Sequence, residues 1–154
     1  MNWVSVLALA FCCMFNLAVF GVVNYSFETP AYTGSAWVNI SGQPDKTDGV
    51  VGGWTFVLSS GIARNGSPWV NTAPEGMQTA YIQNTGTITQ DVEIENAGFY
   101  VLTFKAANRP SYNADNLAVS FNGSQVGYVS YLEINNSAVF KEYSFNLGVF
   151  ASGT

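Results

Sequence analysis

Residues 74–109 read PEGMQTAYIQNTGTITQDVEIENAGFYVLTFKAANR. Three strands are predicted within them. The first covers 79–83 and ends at the Asn84-Thr85-Gly86 turn. The second covers 87–94. Ile88, Val92 and Ile94 fall on one face, and Thr87, Thr89, Asp91 and Glu93 on the other, with only Gln90 breaking the apolar side. That period of two marks a half-buried strand. Glu95-Asn96-Ala97-Gly98 turns the chain again. The third strand covers 99–107, with Tyr100, Leu102, Phe104 and Ala106 on one face and Phe99, Val101, Thr103 and Lys105 on the other. The expected arrangement is an antiparallel meander with one packed face and one wet face.

Upstream, a strand is predicted at 24–28 with Tyr25 and Phe27 sharing a face. Thr29-Pro30 stops it, because proline cannot donate to a ladder. Further strands are predicted at 54–57 and 61–64. Residues 31–53 form a long loop rich in Gly, Ser, Asn and Asp that carries Tyr32, Trp37, Asp45 and Asp48. Loops of that length are uncommon and often functional. A second loop, 65–73, carries Trp69, and a third, 109–116, carries Pro110 and Tyr112. Beyond it a strand at 117–121 leads into Asn122-Gly123, a pair suited to a type I′ hairpin turn because both central residues need positive φ. Strands at 125–131 and 138–147 follow, and 148–154 reads as a turn. No helix of useful length is predicted after residue 21. Short strands at regular spacing indicate an all-β chain, an antiparallel β-sandwich of the jelly-roll kind.

Residues 1–21 are nearly all apolar and carry no charge. Residues 4–11 and 14–20 resemble the apolar core of a secretory signal peptide, and Val19 and Gly21 suit cleavage before Val22. Such a segment is expected to be helical. One departure from the signal pattern and one feature of an uncleaved anchor stand against this. A basic residue near the start is missing, and the apolar run approaches the ~20 residues that span a bilayer. The assignment is a signal peptide at 1–21 and one domain at 22–154, a length typical of a single domain. Cys12 and Cys13 are the only cysteines and there is no histidine, so the domain has no disulfide or thiol chemistry. The net charge is −5, and the five basic residues, Lys46, Arg64, Lys105, Arg109 and Lys141, are scattered. Nucleic acid and anionic membrane need clustered cations and are not expected partners. Sequons begin at Asn24, Asn39, Asn65, Asn122 and Asn135. In a eukaryotic host they would be glycan acceptors; in a bacterium they would reflect turn composition alone.

The motifs in order are N-x-S-F-E-x-P (Asn24 to Pro30), G-W-x-F (Gly53 to Phe56), G-I (Gly61, Ile62) and A-P-E-G-x-Q-x-A-Y-I-Q (Ala73 to Gln83). Then come G-x-I-x-Q (Gly86 to Gln90), A-G-x-Y-x-L-x-F-x-A-A-x-R (Ala97 to Arg109) and N-G-x-x-V-G (Asn122 to Gly127). Together they resemble galactose-binding-domain-like jelly rolls. They are similar to the secreted carbohydrate-binding modules of that superfamily, over 24–154. The resemblance implies a further apolar strand after Thr154, hence a C-terminal strand missing here and further domains beyond it. It also implies a structural Ca²⁺ near the first strand. Glu28 with Asp45, Asp48 or Asp115 and backbone oxygens would supply the roughly six to eight oxygens calcium takes. The competing reading has Glu28 pairing with Arg109 or capping a turn. One fold hosts many functions, so the ligand does not follow from the fold.

Trp37, Trp69 and Tyr112 are the aromatic candidates for stacking on a sugar, since binding concentrates on loops held by a rigid scaffold. Trp54, at a strand start, is expected in the core, where most aromatics of a sandwich lie. Gln78, Gln83 and Gln90 either meet sugar hydroxyls or are buried amides tying loops to the sheet, the commoner role. Arg109 either holds Glu28 or Glu75 or forks onto a ligand. The absence of histidine removes Ser-His and Cys-His pairs. No pair of carboxylates stands in a recognisable glycosidase motif. The expected function is non-catalytic: a secreted or cell-surface module that binds carbohydrate or glycoprotein. The alternative is a structural or adhesive domain that contacts proteins. A free-standing hydrolase is the third and least favoured reading.

Overall fold

A computed structural model of the protein describes residues 3–13, 22–34, 36–40, 49–113, 115–134 and 139–153, the first of these as a backbone path. Among them are eleven strands: β1 (Trp3–Cys13), β2 (Trp37–Asn39), β3 (Gly49–Val51), β4 (Trp54–Val57), β5 (Ser60–Arg64), β6 (Gln78–Gln83), β7 (Thr87–Thr89), β8 (Gly98–Asn108), β9 (Leu117–Phe121), β10 (Ser124–Val129) and β11 (Lys141–Phe150). One short helix, α1 (Tyr131–Ile134), precedes β11. A six-stranded sheet has the order β11-β8-β1-β6-β5-β2, and two smaller sheets are β10-β9 and β3-β4-β7. All pairings are antiparallel. The chain is a β-sandwich.

The predicted alternation in β8 holds on its inner face. Tyr100, Leu102, Phe104 and Ala106 are buried and pack with Phe27, Trp54, Phe56 and Ile62. Trp54 is a core residue, as expected. Phe27 lies against Trp54 at 5.0 Å and Phe56 at 6.4 Å between ring centroids. Asn122 and Gly123 have φ of 47° and 73°, the positive pair a type I′ turn requires.

The meander is corrected. β6 and β8 belong to the larger sheet and β7 to a smaller one, where it pairs with β4. Ile82 and Ile88 reach the same core from these two layers. A layered core needs the chain to cross over, and alternation alone does not say which sheet a strand joins. The second strand is also shorter than expected and stops at Thr89. Gln90 turns aside to hydrogen-bond both backbone groups of Val23, at 3.0 and 2.9 Å, and the carbonyl of Gly53 at 3.1 Å.

Residues 24–28 are not a strand. Phe27 N donates to Asn24 O, and both residues have positive φ. Phe27 is buried while Tyr25 is exposed, so they do not share a face. The long loop contains β2 and β3, and Asp45 and Asp48 lie outside the described residues. Residues 148–150 extend β11 past a register shift at Gly148. Residues 3–13 are extended rather than helical. A short apolar run suits either conformation, and here two strand edges of the larger sheet take its backbone.

Candidate functional site

The loop at 65–73 is folded back by its own polar side chains. Ser67 Oγ accepts from Trp69 N and Val70 N, and Asn65 Oδ1 accepts from Ala73 N. This presses Trp69 onto the outer face of the larger sheet, where it stacks on Tyr81 with centroids 3.9 Å apart. Tyr81 crosses β5 at Gly61, where an added Cβ would come within 2.9 Å of its ring and 2.1 Å of Val38 O. Burial pushes the Tyr81 phenol up to about 12.

Arg109 follows β8 directly. Its guanidinium carbon lies 4.4 Å from the Trp69 ring centroid and 4.0 Å from that of Tyr112, and Nε donates to Pro68 O at 3.0 Å. Rings and guanidinium thus form a column, Tyr81–Trp69–Arg109–Tyr112. Each cation–π contact contributes roughly 0.5–2 kcal/mol. Arg109 does not hold Glu28 or Glu75. Glu28 Oε1 accepts from Met77 N and Gln78 N at 2.8 and 2.7 Å, and Glu75 accepts from Tyr25 OH.

Beside the column is a pocket of about 330 Å³ lined by Asn108, Arg109, Ser111, Tyr112 and Asn113. Ligand pockets begin at roughly that size, ~300 Å³. Ser111 has a φ of 65°, a left-handed conformation uncommon outside glycine. Asn108 is 2% exposed, and its Nδ2 donates to Tyr112 O. Its Oδ1 is buried without a hydrogen-bond partner. Leaving such an acceptor unpaired costs about 1–3 kcal/mol. Asn39 Oδ1 is in the same condition on β2.

Of the predicted ligand residues, Trp69, Tyr112 and Arg109 come together. Trp69 is only 6% exposed, so its stacking role is corrected: it supports Arg109 and offers no open face. Tyr112 is 42% exposed. Trp37 is exposed at the first position of edge strand β2, opposite Ala63, which packs with Trp69 and Tyr81. It therefore shares their face of the sheet without touching the pocket's lining. Gln78 is corrected as a ligand residue. It is buried, its Oε1 accepts from Tyr32 N, and its Nε2 donates to Phe27 O and Pro30 O. It ties the first loop to β6. Asn108, Ser111 and Asn113 were not among the predicted residues. Asn108 had a signal, because it continues the inward series Tyr100, Leu102, Phe104, Ala106 and is its first polar member.

Glu28 locks a turn. Gly76, with φ 65°, lies so close that an added Cβ would sit 2.4 Å from Glu28 Oε1. Asp115 Oδ1 accepts from Asn116 N. Among the described residues, no three acidic or cysteine side chains gather as a metal site. Of the sequon asparagines, Asn122 is exposed on its hairpin. Asn24 and Asn65 are engaged through Nδ2 with Thr29 O and Gly76 O. Asn135 lies outside the described residues.

No curated protein and no solved structure matches the chain. One family model does, that described as Protein of unknown function (DUF642), and it covers residues 21–152. The chain therefore belongs to the DUF642 family.

Proposed function

We propose that the protein is a secreted, non-catalytic carbohydrate-binding module whose ligand enters the pocket beside Tyr112. The observation that carries this is the pocket itself, lined by Asn108, Arg109, Ser111, Tyr112 and Asn113, with Tyr112 exposed beside it. Asn113 and Ser111 offer an amide and a hydroxyl that both donate and accept. The Tyr112 ring offers a face to the apolar side of the sugar, and the column beneath holds Arg109 for a second acceptor on the ligand. These groups suit recognition rather than proton transfer. The apolar leader at 1–21 supports secretion, with cleavage before Val22.

A glycan array probed with the secreted protein, with and without Ca²⁺, tests this. Selective binding that Tyr112→Ala weakens about tenfold is expected. Calcium dependence would assign a metal to the region of Glu28, Asp45 and Asp48. A blank array from folded protein would overturn the proposal in favour of the structural or adhesive reading.

A further inference from the structure

The middle of the larger sheet is held by the segment nearest the N-terminus. β1 pairs with β6 from Trp3↔Gln83 to Val6↔Ala80, and with β8 from Val4↔Asn108 to Cys13↔Tyr100. Because β1 is antiparallel to both, β6 and β8 run parallel to each other. The facing edges of β6 and β8 meet β1, not one another, and buried backbone groups are nearly always paired. The walls suit an uncharged guest. β6 and β8 carry one charged residue between them, Lys105, and Ala80, Ala106 and Ala107, all at register with β1, are buried. β1 itself has eleven residues and no charge.

Chain connectivity makes this strand separable. Only residues 14–21 join it to the rest, and the cleavage point expected before Val22 ends that link. Cleavage there and this sheet are compatible only if the strand stays bound without its covalent link or another strand takes its place.

We infer that the space between β6 and β8 is a strand-acceptor site. Its partner is an uncharged, extended peptide segment from outside the 22–153 body, which pairs antiparallel on both edges and completes the sheet. β1 is that segment in this chain. When processing removes it, a segment of the same chemistry takes over. The inference is independent of what the pocket beside Tyr112 binds.

The test uses the full chain with a site-specific protease sequence placed within residues 14–21. The protein is folded and cut, then mixed with a labelled peptide of residues 3–13 carrying Cys12→Ser and Cys13→Ser. The cut strand should co-elute with the body, and the labelled peptide should replace it while β6 and β8 amides stay protected from hydrogen exchange. A labelled peptide with Val6→Pro, set at the register of Ala80 and Ala106, should bind more than about tenfold more weakly, since proline cannot donate to the ladder and leaves a partner carbonyl unpaired. Release of the strand on cutting with β6 and β8 still protected would overturn the inference, because the sheet would then close without a guest. Equal uptake of the Val6→Pro peptide would overturn it too, because uptake would then not depend on the ladder.

Discussion

Two hollows among the described residues differ in kind, and the larger is the less suited to a sugar. A cleft of about 530 Å³ runs between β7 and β9, with Ile82, Leu102 and Phe104 of the larger sheet as its floor. It lies between the two smaller sheets, which do not pair with each other. Its walls are mostly core side chains, and Gln90, which also lines it, is already bonded to Val23 and Gly53. The pocket beside Tyr112 is smaller, yet its lining is polar: two asparagines, a serine, an arginine and a tyrosine. Volume records where strands stop pairing. Capacity for a sugar depends on the polar groups that line a hollow.

The sharpest way to break this contrast is Phe104→Ala. It should lower the unfolding free energy by about 3–5 kcal/mol in urea melts. Glycan affinity per folded molecule should not change; if it vanished, the binding site would belong in the cleft. Gln78→Leu should cost about 1–3 kcal/mol, because Tyr32 N and the carbonyls of Phe27 and Pro30 lose their partner. Unchanged stability with lost glycan binding would return Gln78 to the ligand. Tyr112→Ala should do the reverse. It should weaken glycan binding about tenfold while costing stability roughly 0.5–1 kcal/mol, the worth of an exposed cation–π contact with Arg109, measured by titration calorimetry beside a melt.

A further effect, absent at neutral pH, is alkaline. The folded-state pKa of Tyr81 is about 12 against an ordinary 10.0. The native state therefore binds the proton more tightly, and this contribution is complete below pH 10 and lost as pH rises through 12. Burial raises Tyr32 and Tyr143 in the same direction. Tyr81→Phe should flatten the decline in denaturant midpoint between pH 10 and 12 without removing it. An unchanged slope would show that Tyr81 keeps contact with water beneath Trp69.

Much of this was legible in the chain. β4 and β9 lie where alternation and turn residues put them, and the Asn122-Gly123 hairpin has its expected backbone. Trp69, Tyr112 and Arg109, chosen from loops, meet at one place. Phe27 was misread because Asn24 bonds Thr29 and closes a turn where alternation suggested a strand. Gln78 and Glu28 were open to two readings each because an amide or carboxylate serves a ligand and a loop backbone equally well. Which one is present depends on residues about 50 positions away in sequence.

The sequence by itself determined the class: an all-β chain punctuated by Gly, Asn and Pro turns, with an apolar stretch at residues 1–21 and a loop-borne set of aromatics. Those properties are local, written in side-chain period and turn chemistry over a few residues. Only the tertiary structure decided that β7 leaves β6 and β8 for another sheet. It also decided that Trp69 is covered while Tyr112 is open, and that residues 3–13 fill the middle of the larger sheet. Each of these depends on which distant surface offers the lowest cost of burial, and that surface exists only once the chain has folded.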